Sequence, residues 1–132
     1  MALPNTIFPL IVLLAAAGTA QAADPLPAIE RAAQAAGTFT GFSAARGEQL
    51  FTTRGRDWSC ATCHTADPRN AGRHTVTGKT IAPMAPTANP QRLSDPAKVA
   101  KWFRRNCKDV FARECTPQEQ GDVIAYLRSL CM

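Results

Sequence analysis

The nine residues Trp58 to Ala66, WSCATCHTA, decide how the rest of the chain is read. Two cysteines three apart, with a histidine directly after the second, form the C-x-x-C-H pattern of covalent haem attachment. Each thiol can add across a haem vinyl group, and the histidine then lies against the iron. C-x-x-C alone also serves thiol oxidoreductases and zinc sites. A structural zinc site needs a second ligand pair, and the other cysteines, Cys107, Cys115 and Cys131, make no second C-x-x-C. A thioredoxin-like motif belongs in a βαβ setting, of which the sequence shows no sign. Cys60, Cys63 and His64 are therefore expected to hold one covalent haem c, with His64 as the proximal iron ligand. What fills the opposite face of the iron then separates an electron carrier, with a methionine there, from a protein that binds gases at an open or weakly filled position.

Outside the motif, 132 residues at 45% hydrophobic composition leave room for one domain. Residues 1-22 contain the apolar run IFPLIVLLAAAG and end in Ala20-Gln21-Ala22, a small-x-small cleavage pattern. They are read as a secretory signal peptide, although the start, MALPNT, has no basic residue. The run is shorter than the roughly 20 residues that a bilayer span needs. Cleavage before Ala23 would deliver the chain to the periplasm. Every charged residue lies beyond this segment, and the net charge is +5. A basic surface suits docking to an acidic redox partner, mainly by speeding encounter. The arginines are scattered and accompany no nucleic-acid motif, so no nucleic acid is expected as a partner.

The order read along the chain is helix, haem loop, long irregular loop, helix, loop, helix. PAIERAAQAAG (27-37) is Ala-rich and helical by propensity, with Gly37 as its stop. Ser43 can cap a second helix through AARGEQLFTTR, with Leu50 and Phe51 on its buried side. Residues 65-93 carry four prolines and no helical period, which predicts a loop wrapped around a ligand that supplies part of the core. Ser94 and Asp95 open SDPAKVAKWFRRN, where Val99, Trp102 and Phe103 recur at helical spacing. Thr116-Pro117-Gln118-Glu119 is a capping box with proline at the first helical position, ahead of an apolar stripe from Val123 to Leu130. No strand signal stands out, and the class is all-α.

GEQLF before the haem motif and GDVIAYLRSL at the end resemble the paired terminal helices of class I cytochromes c, where Gly47 and Phe51 would pack against Val123 and Tyr126. TGKTIAPMAP, NPQRLSD, KWFRRNC and ARECTP closely resemble the sphaeroides haem protein family of high-spin, monohaem class I cytochromes c. The resemblance implies a class I cytochrome c fold, three to four helices around a covalently bound haem, over residues 43-130. Residues 1-22 would then be the signal peptide and 23-42 a loose N-terminal extension.

In that family an asparagine directly before a disulfide cysteine ligates the oxidised iron and swings away on reduction. Asn106 matches that asparagine, and Cys107 with Cys115 match the disulfide. The resemblance thus implies a labile distal ligand, Asn106, whose release opens the reduced iron to oxygen or nitric oxide. It implies another cytochrome as electron donor, a dihaem cytochrome c among the candidates, and a monomer. An electron carrier with such reactivity is not a classical enzyme, so no catalytic residue is assigned. An amide oxygen is a hard, weak donor towards ferrous iron, which agrees with release on reduction. A bridge between Cys107 and Cys115 would hold the segment carrying Asn106 in register, besides stapling the fold.

The alternative is an ordinary low-spin carrier with His64 and Met84 as ligands. Met84 follows His64 closely, in IAPMAP. Pro83 resembles the loop proline whose carbonyl takes the imidazole N–H, which puts Met84 on the histidine side, filling a gap in the core. His74 is read as a solvated loop residue and Trp102, four before Asn106, as lining the haem edge. Arg104 and Arg105 are read as the exposed side of their helix or as partners for propionates or a partner's carboxylates. Cys131 is left without a partner.

Overall fold

In the computed structural model, residues 23–37 and 39–131 are described; the signal-peptide reading of residues 1–22 lies outside them. Five helices form: α1 Leu26–Ala35, α2 Ala44–Thr52, α3 Cys60–His64, α4 Pro96–Phe111 and α5 Pro117–Ser129. The all-α reading holds: four helices, α2 to α5, lie within residues 43–130, one of them the coiled haem-motif turn, and α1 is the helix expected in the N-terminal segment.

The frame is the crossing of α2 and α5. Ser43 accepts the Arg46 amide at the start of α2. At the start of α5 the Thr116 hydroxyl accepts from the Glu119 amide, and the Glu119 carboxylate accepts from the Thr116 amide. The two helices touch at Gly47, where a Cβ would run into the Asp122 carbonyl and lie 2.9 Å from the Tyr126 Cβ. Only glycine lets the backbones approach this closely. One turn on, Phe51 (2% exposed), Val123, Tyr126 and Leu127 make the core. This is the pairing expected from GEQLF and GDVIAYLRSL.

A buried carboxylate locks the same crossing. Asp122 is 4% exposed. It accepts the Ser43 amide at 2.8 Å, two Arg46 guanidinium N–H groups at 2.7 and 2.8 Å, and the Gln118 amide at 3.0 Å. A charge out of water is tolerated only when paired and hydrogen-bonded in this way.

The segment read as a loose extension packs on α5. Ala33 of α1 is fully enclosed, and Arg128 donates to the Asp24 carboxylate at 2.8 and 3.3 Å. Ala33, with half-buried Leu26 and Ile29, forms the inner face of α1. As expected, α1 stops at Gly37, which takes a positive φ of 71°.

The stretch 65–93 is more ordered than its composition suggests. Two short strands, β1 Gly72–Arg73 and β2 Thr80–Ile81, pair antiparallel, Gly72 opposite Ile81. Pro68 is fully buried, and its carbonyl accepts the amides of Met84 and Ala85 at 2.9 and 3.0 Å. Beyond the loop, Asp95 caps α4 by accepting the Lys98 amide at 3.1 Å. The helix runs past the expected end at Asn106 to Phe111 and closes with Ala112 in the left-handed region.

Candidate functional site

On α3 the three motif residues share one side. At 100° per residue, Cys60, Cys63 and His64 fall within an arc of about 100°, so both thiols and the imidazole face the same way. A Ser59 backbone N–H donated to the Thr62 hydroxyl starts this single turn, and Thr65, at φ 65°, ends it. Gly72 of β1 presses on it from outside. A Cβ there would meet the Cys63 carbonyl and lie 3.0 Å from the His64 Cα.

Cys60 and Cys63 are free thiols, half-buried, and Cys60 packs on the core cluster. Burial pushes the Cys60 thiol up to about 11, with Cys63 adding to the shift. The His64 ring lies 6.2 Å from that of Phe51. Burial, and then the Arg92 charge, bring its imidazolium down to about 4, so the ring is neutral at neutral pH with a lone pair available for a metal.

His64 Nδ1 is enclosed and has no hydrogen-bond partner among the described residues. The Pro83 carbonyl, expected to take it, instead accepts from Arg92 Nε at 2.9 Å and from the Asn89 amide at 3.3 Å, while Arg92 also donates to the Ala82 carbonyl at 2.8 Å. The reason is competition: the half-buried Arg92 guanidinium, with no carboxylate within reach among the described residues, satisfies itself on these carbonyls. Met84, next in the chain, packs against the Phe51 core cluster.

The helix that carries Asn106, the residue expected as a further ligand, is α4. Its inner face carries buried Val99, Cys107 and Val110, with half-buried Phe103 and Asn106 between them. Phe103 touches the core cluster. The Asn106 carboxamide makes no hydrogen bond to another described residue and is not enclosed, in contrast to His64 Nδ1. Directly after it, Cys107 is bonded to Cys115, Cα to Cα 5.7 Å, with both cysteines buried. This bridge joins the body of α4 to the residue preceding the cap of α5. The far end of α4 is held again where the Arg56 amide donates to the Val110 carbonyl at 2.9 Å and Gly55 packs against that carbonyl.

Trp102, expected along the haem edge, is 46% exposed and has Lys101 and Arg105 against its ring. His74 lies in the hairpin between the strands, as expected of a loop residue. It is not simply solvated, because its Nδ1 accepts the amides of Val76 and Thr77 at 3.3 and 3.1 Å. Cys131 is free and exposed.

These residues fit a covalently held haem. Two thiols and a neutral imidazole share one face, the imidazole has a buried, unanswered nitrogen, and a helix with an unpartnered amide completes the set. Among the described residues no three His, Cys, Asp or Glu side chains cluster as an alternative metal cage. Asp122 and Arg92, which shape the two ends of this region, were missed from sequence. The signal for Asp122 was a lone carboxylate inside an apolar helical stripe; Arg92 had none.

Comparison with known proteins agrees. A family model described as a domain of unknown function, DUF1924, matches residues 37–127. The cytochrome c-type protein SHP of Cereibacter sphaeroides is 46% identical over 123 residues, 89% of this chain and 95% of SHP. The structure of oxidised SHP, described as an oxygen-binding cytochrome c, matches with a TM-score of 0.71 and 44% identity over 81% of this chain and 97% of the other. Oxidised cytochrome c'' from Methylophilus methylotrophus matches with a TM-score of 0.72 and 32% identity over 82% and 93%.

Proposed function

The chain belongs to the DUF1924 family of SHP-like cytochromes c, monohaem proteins with one covalent haem c, and on that premise we propose that it is a periplasmic electron carrier whose sixth iron ligand, Asn106, is labile. When bound, the haem supplies a one-electron couple and, where its sixth position opens, an iron site for oxygen or nitric oxide. The chain's own residues divide the remaining work. Cys60 and Cys63 tether the haem, which keeps it through any change of ligand. His64 is the permanent ligand, its neutral ring pinned between Phe51 and the β1 glycine. Arg92 fixes the Ala82 and Pro83 carbonyls beside it. Asn106 is the exchangeable group, and the Cys107–Cys115 bridge holds it in place. Electrons come from another cytochrome, a dihaem cytochrome c being one candidate.

The observation that carries this reading is the Asn106 carboxamide, half-buried in the middle of α4 without a protein partner. No hydrogen bond among the described residues ties that carboxamide down, which leaves its oxygen free to serve an iron held by Cys60, Cys63 and His64, and Asn106 stands directly before the Cys107–Cys115 bridge as in the family pattern. Met84 is occupied differently, its amide on Pro68 and its side chain on the core. The oxygen binding stated for SHP supports the gas-facing part.

The test is the visible and near-infrared spectrum, ferric and ferrous, with and without carbon monoxide. A high-spin ferrous form that takes carbon monoxide at once is expected. Asn106→Ala should keep the haem attached and change the ferric spectrum, while Met84→Leu should change it little. A ferrous form indifferent to carbon monoxide, with a low-spin spectrum abolished by Met84→Leu, would make the protein an ordinary His64/Met84 carrier.

A further inference from the structure

The outward side of α4 concentrates charge that the fold does not use. Lys98, Lys101, Arg104, Arg105 and Lys108 are all exposed. At 100° per residue they occupy an arc of about 120°, opposite the buried Val99, Cys107 and Val110. Lys98 and Lys108 have loose acidic neighbours, Asp95 at 3.6 Å and Glu114 at 3.7 Å. Lys101, Arg104 and Arg105 are in no ion pair among the described residues. One acidic residue, Asp109, shares the face.

Trp102 stands at the edge of this arc, between the basic stripe and Asn106. Its ring lies 5.8 Å from Lys101 Nζ and 5.7 Å from Arg105 Cζ. An exposed tryptophan offers a large, rigid apolar surface of the kind that anchors interfaces. Here its flanking cations set the charge of whatever covers it.

We propose that this face of α4 is the docking surface for an acidic redox protein, with Lys101, Arg104 and Arg105 steering encounter and Trp102 as the central contact. The proposal rests on reading the protein as an electron carrier, and adds where electrons enter. A protein seated on α4 is separated from the Asn106 side by a single helix, roughly 10 Å across. Because charge at the rim of an interface acts mainly on association rate, the signature is a salt-sensitive second-order rate constant.

The test uses the haem-loaded protein and flavodoxin, an acidic redox protein, as the probe. One electron passes from flavodoxin hydroquinone, which becomes the semiquinone, to the ferric haem, which becomes ferrous; stopped-flow absorbance follows both. In Lys101→Gln/Arg104→Gln/Arg105→Gln the rate constant at low ionic strength should fall about tenfold or more and lose most of its salt dependence. A control with the same loss of charge elsewhere, Arg31→Gln/Arg54→Gln/Lys79→Gln, should stay within about threefold of wild type. Trp102→Ala should lower the limiting rate at saturating flavodoxin while leaving the salt dependence intact.

Equal slowing in the two triple variants would mean that only net charge matters, and would overturn the proposal. So would a larger effect in the control, which would move docking away from α4. Unchanged flavodoxin kinetics, with the α4 charges needed instead for binding phosphatidylglycerol vesicles, would make the face a membrane contact and equally overturn it. Carbon monoxide binding and reduction by dithionite, measured on each variant, report on the haem site separately. A failure of the Asn106 reading therefore shows there and leaves the docking result interpretable.

Discussion

The two sides of the candidate haem site are built on opposite plans. On the His64 side backbones meet directly: α2 meets α5 where Gly47 lies against Asp122, β1 meets α3 where Gly72 lies against Cys63, and the Phe51 ring lies near those of His64 and Tyr126. On the Asn106 side, α4 is held near its ends. Asp95 caps one; the disulfide and the Arg56–Val110 hydrogen bond clamp the other. Between them lie Phe103, packed on the core cluster, the Asn106 carboxamide, and the exposed Trp102. On the proposed reading, His64 as the permanent ligand sits on the side of close backbone contacts, and Asn106 as the exchangeable one sits on a helix fixed near its two ends.

The first way to break this contrast is to put volume where the fixed side has none. Gly47→Val drives a branched side chain into the Asp122 backbone, which cannot yield without separating α2 from α5. Overpacking of this kind costs about 3 kcal/mol or more. Denaturant unfolding of the haem-loaded protein should show it, and a loss below about 1 kcal/mol would mean that the crossing is more compliant than its geometry implies.

The second acts on the clamped helix. Replacing Cys107 and Cys115 together by alanine reopens a loop with a sequence separation of 8. The entropy of so short a loop corresponds to about 2–3 kcal/mol of stability. The contrast is sharpened by a spectroscopic readout: faster carbon monoxide binding is expected, because the turn after Asn106 loses its tether. Lower stability with an unchanged binding rate would reduce the bridge to a staple.

Legibility in sequence follows the same division. The fixed side was readable because its devices are local: C-x-x-C-H, the Thr116–Glu119 capping box, and a glycine followed four residues later by an aromatic. What escaped depends on residues far apart in the chain. Asp122 meets Ser43 and Arg46 across separations of 79 and 76 residues, and no window of sequence contains that network. Strands of two residues are too short to show a period of two, so the pairing of Gly72 with Ile81 was invisible inside a proline-rich loop. The Pro83 carbonyl was assigned to His64 by likeness alone, and Arg92, nine residues on, outcompetes it. On α4 the helical spacing placed Trp102 with Val99 and Phe103, but spacing does not say how wide the stripe buried by protein is, and Trp102 lies at its margin.

The smallest effect concerns the joint between the two plans, where α4 ends and α5 begins. Glu119 accepts two N–H groups from Arg113, at 2.7 and 2.8 Å, and the Thr116 amide at 2.8 Å. The Arg113 hydrogen bonds, more than the amide, hold its carboxyl below the ordinary carboxylate range despite partial burial. A carboxyl whose pKa is lower in the folded chain than in the unfolded one stabilises the fold above the unfolded value, about 4.3. That contribution fades as the pH falls through the folded value. Because Arg113 is half exposed, solvent screens the pair, and Glu119→Gln should cost only about 0.5–1 kcal/mol at neutral pH. The difference between wild type and variant should then shrink as unfolding is repeated at successively lower pH below about 4. A gap that persists undiminished into acid would show that the charge of Glu119, and with it the Arg113 ion pair, adds nothing to the joint between the two helices.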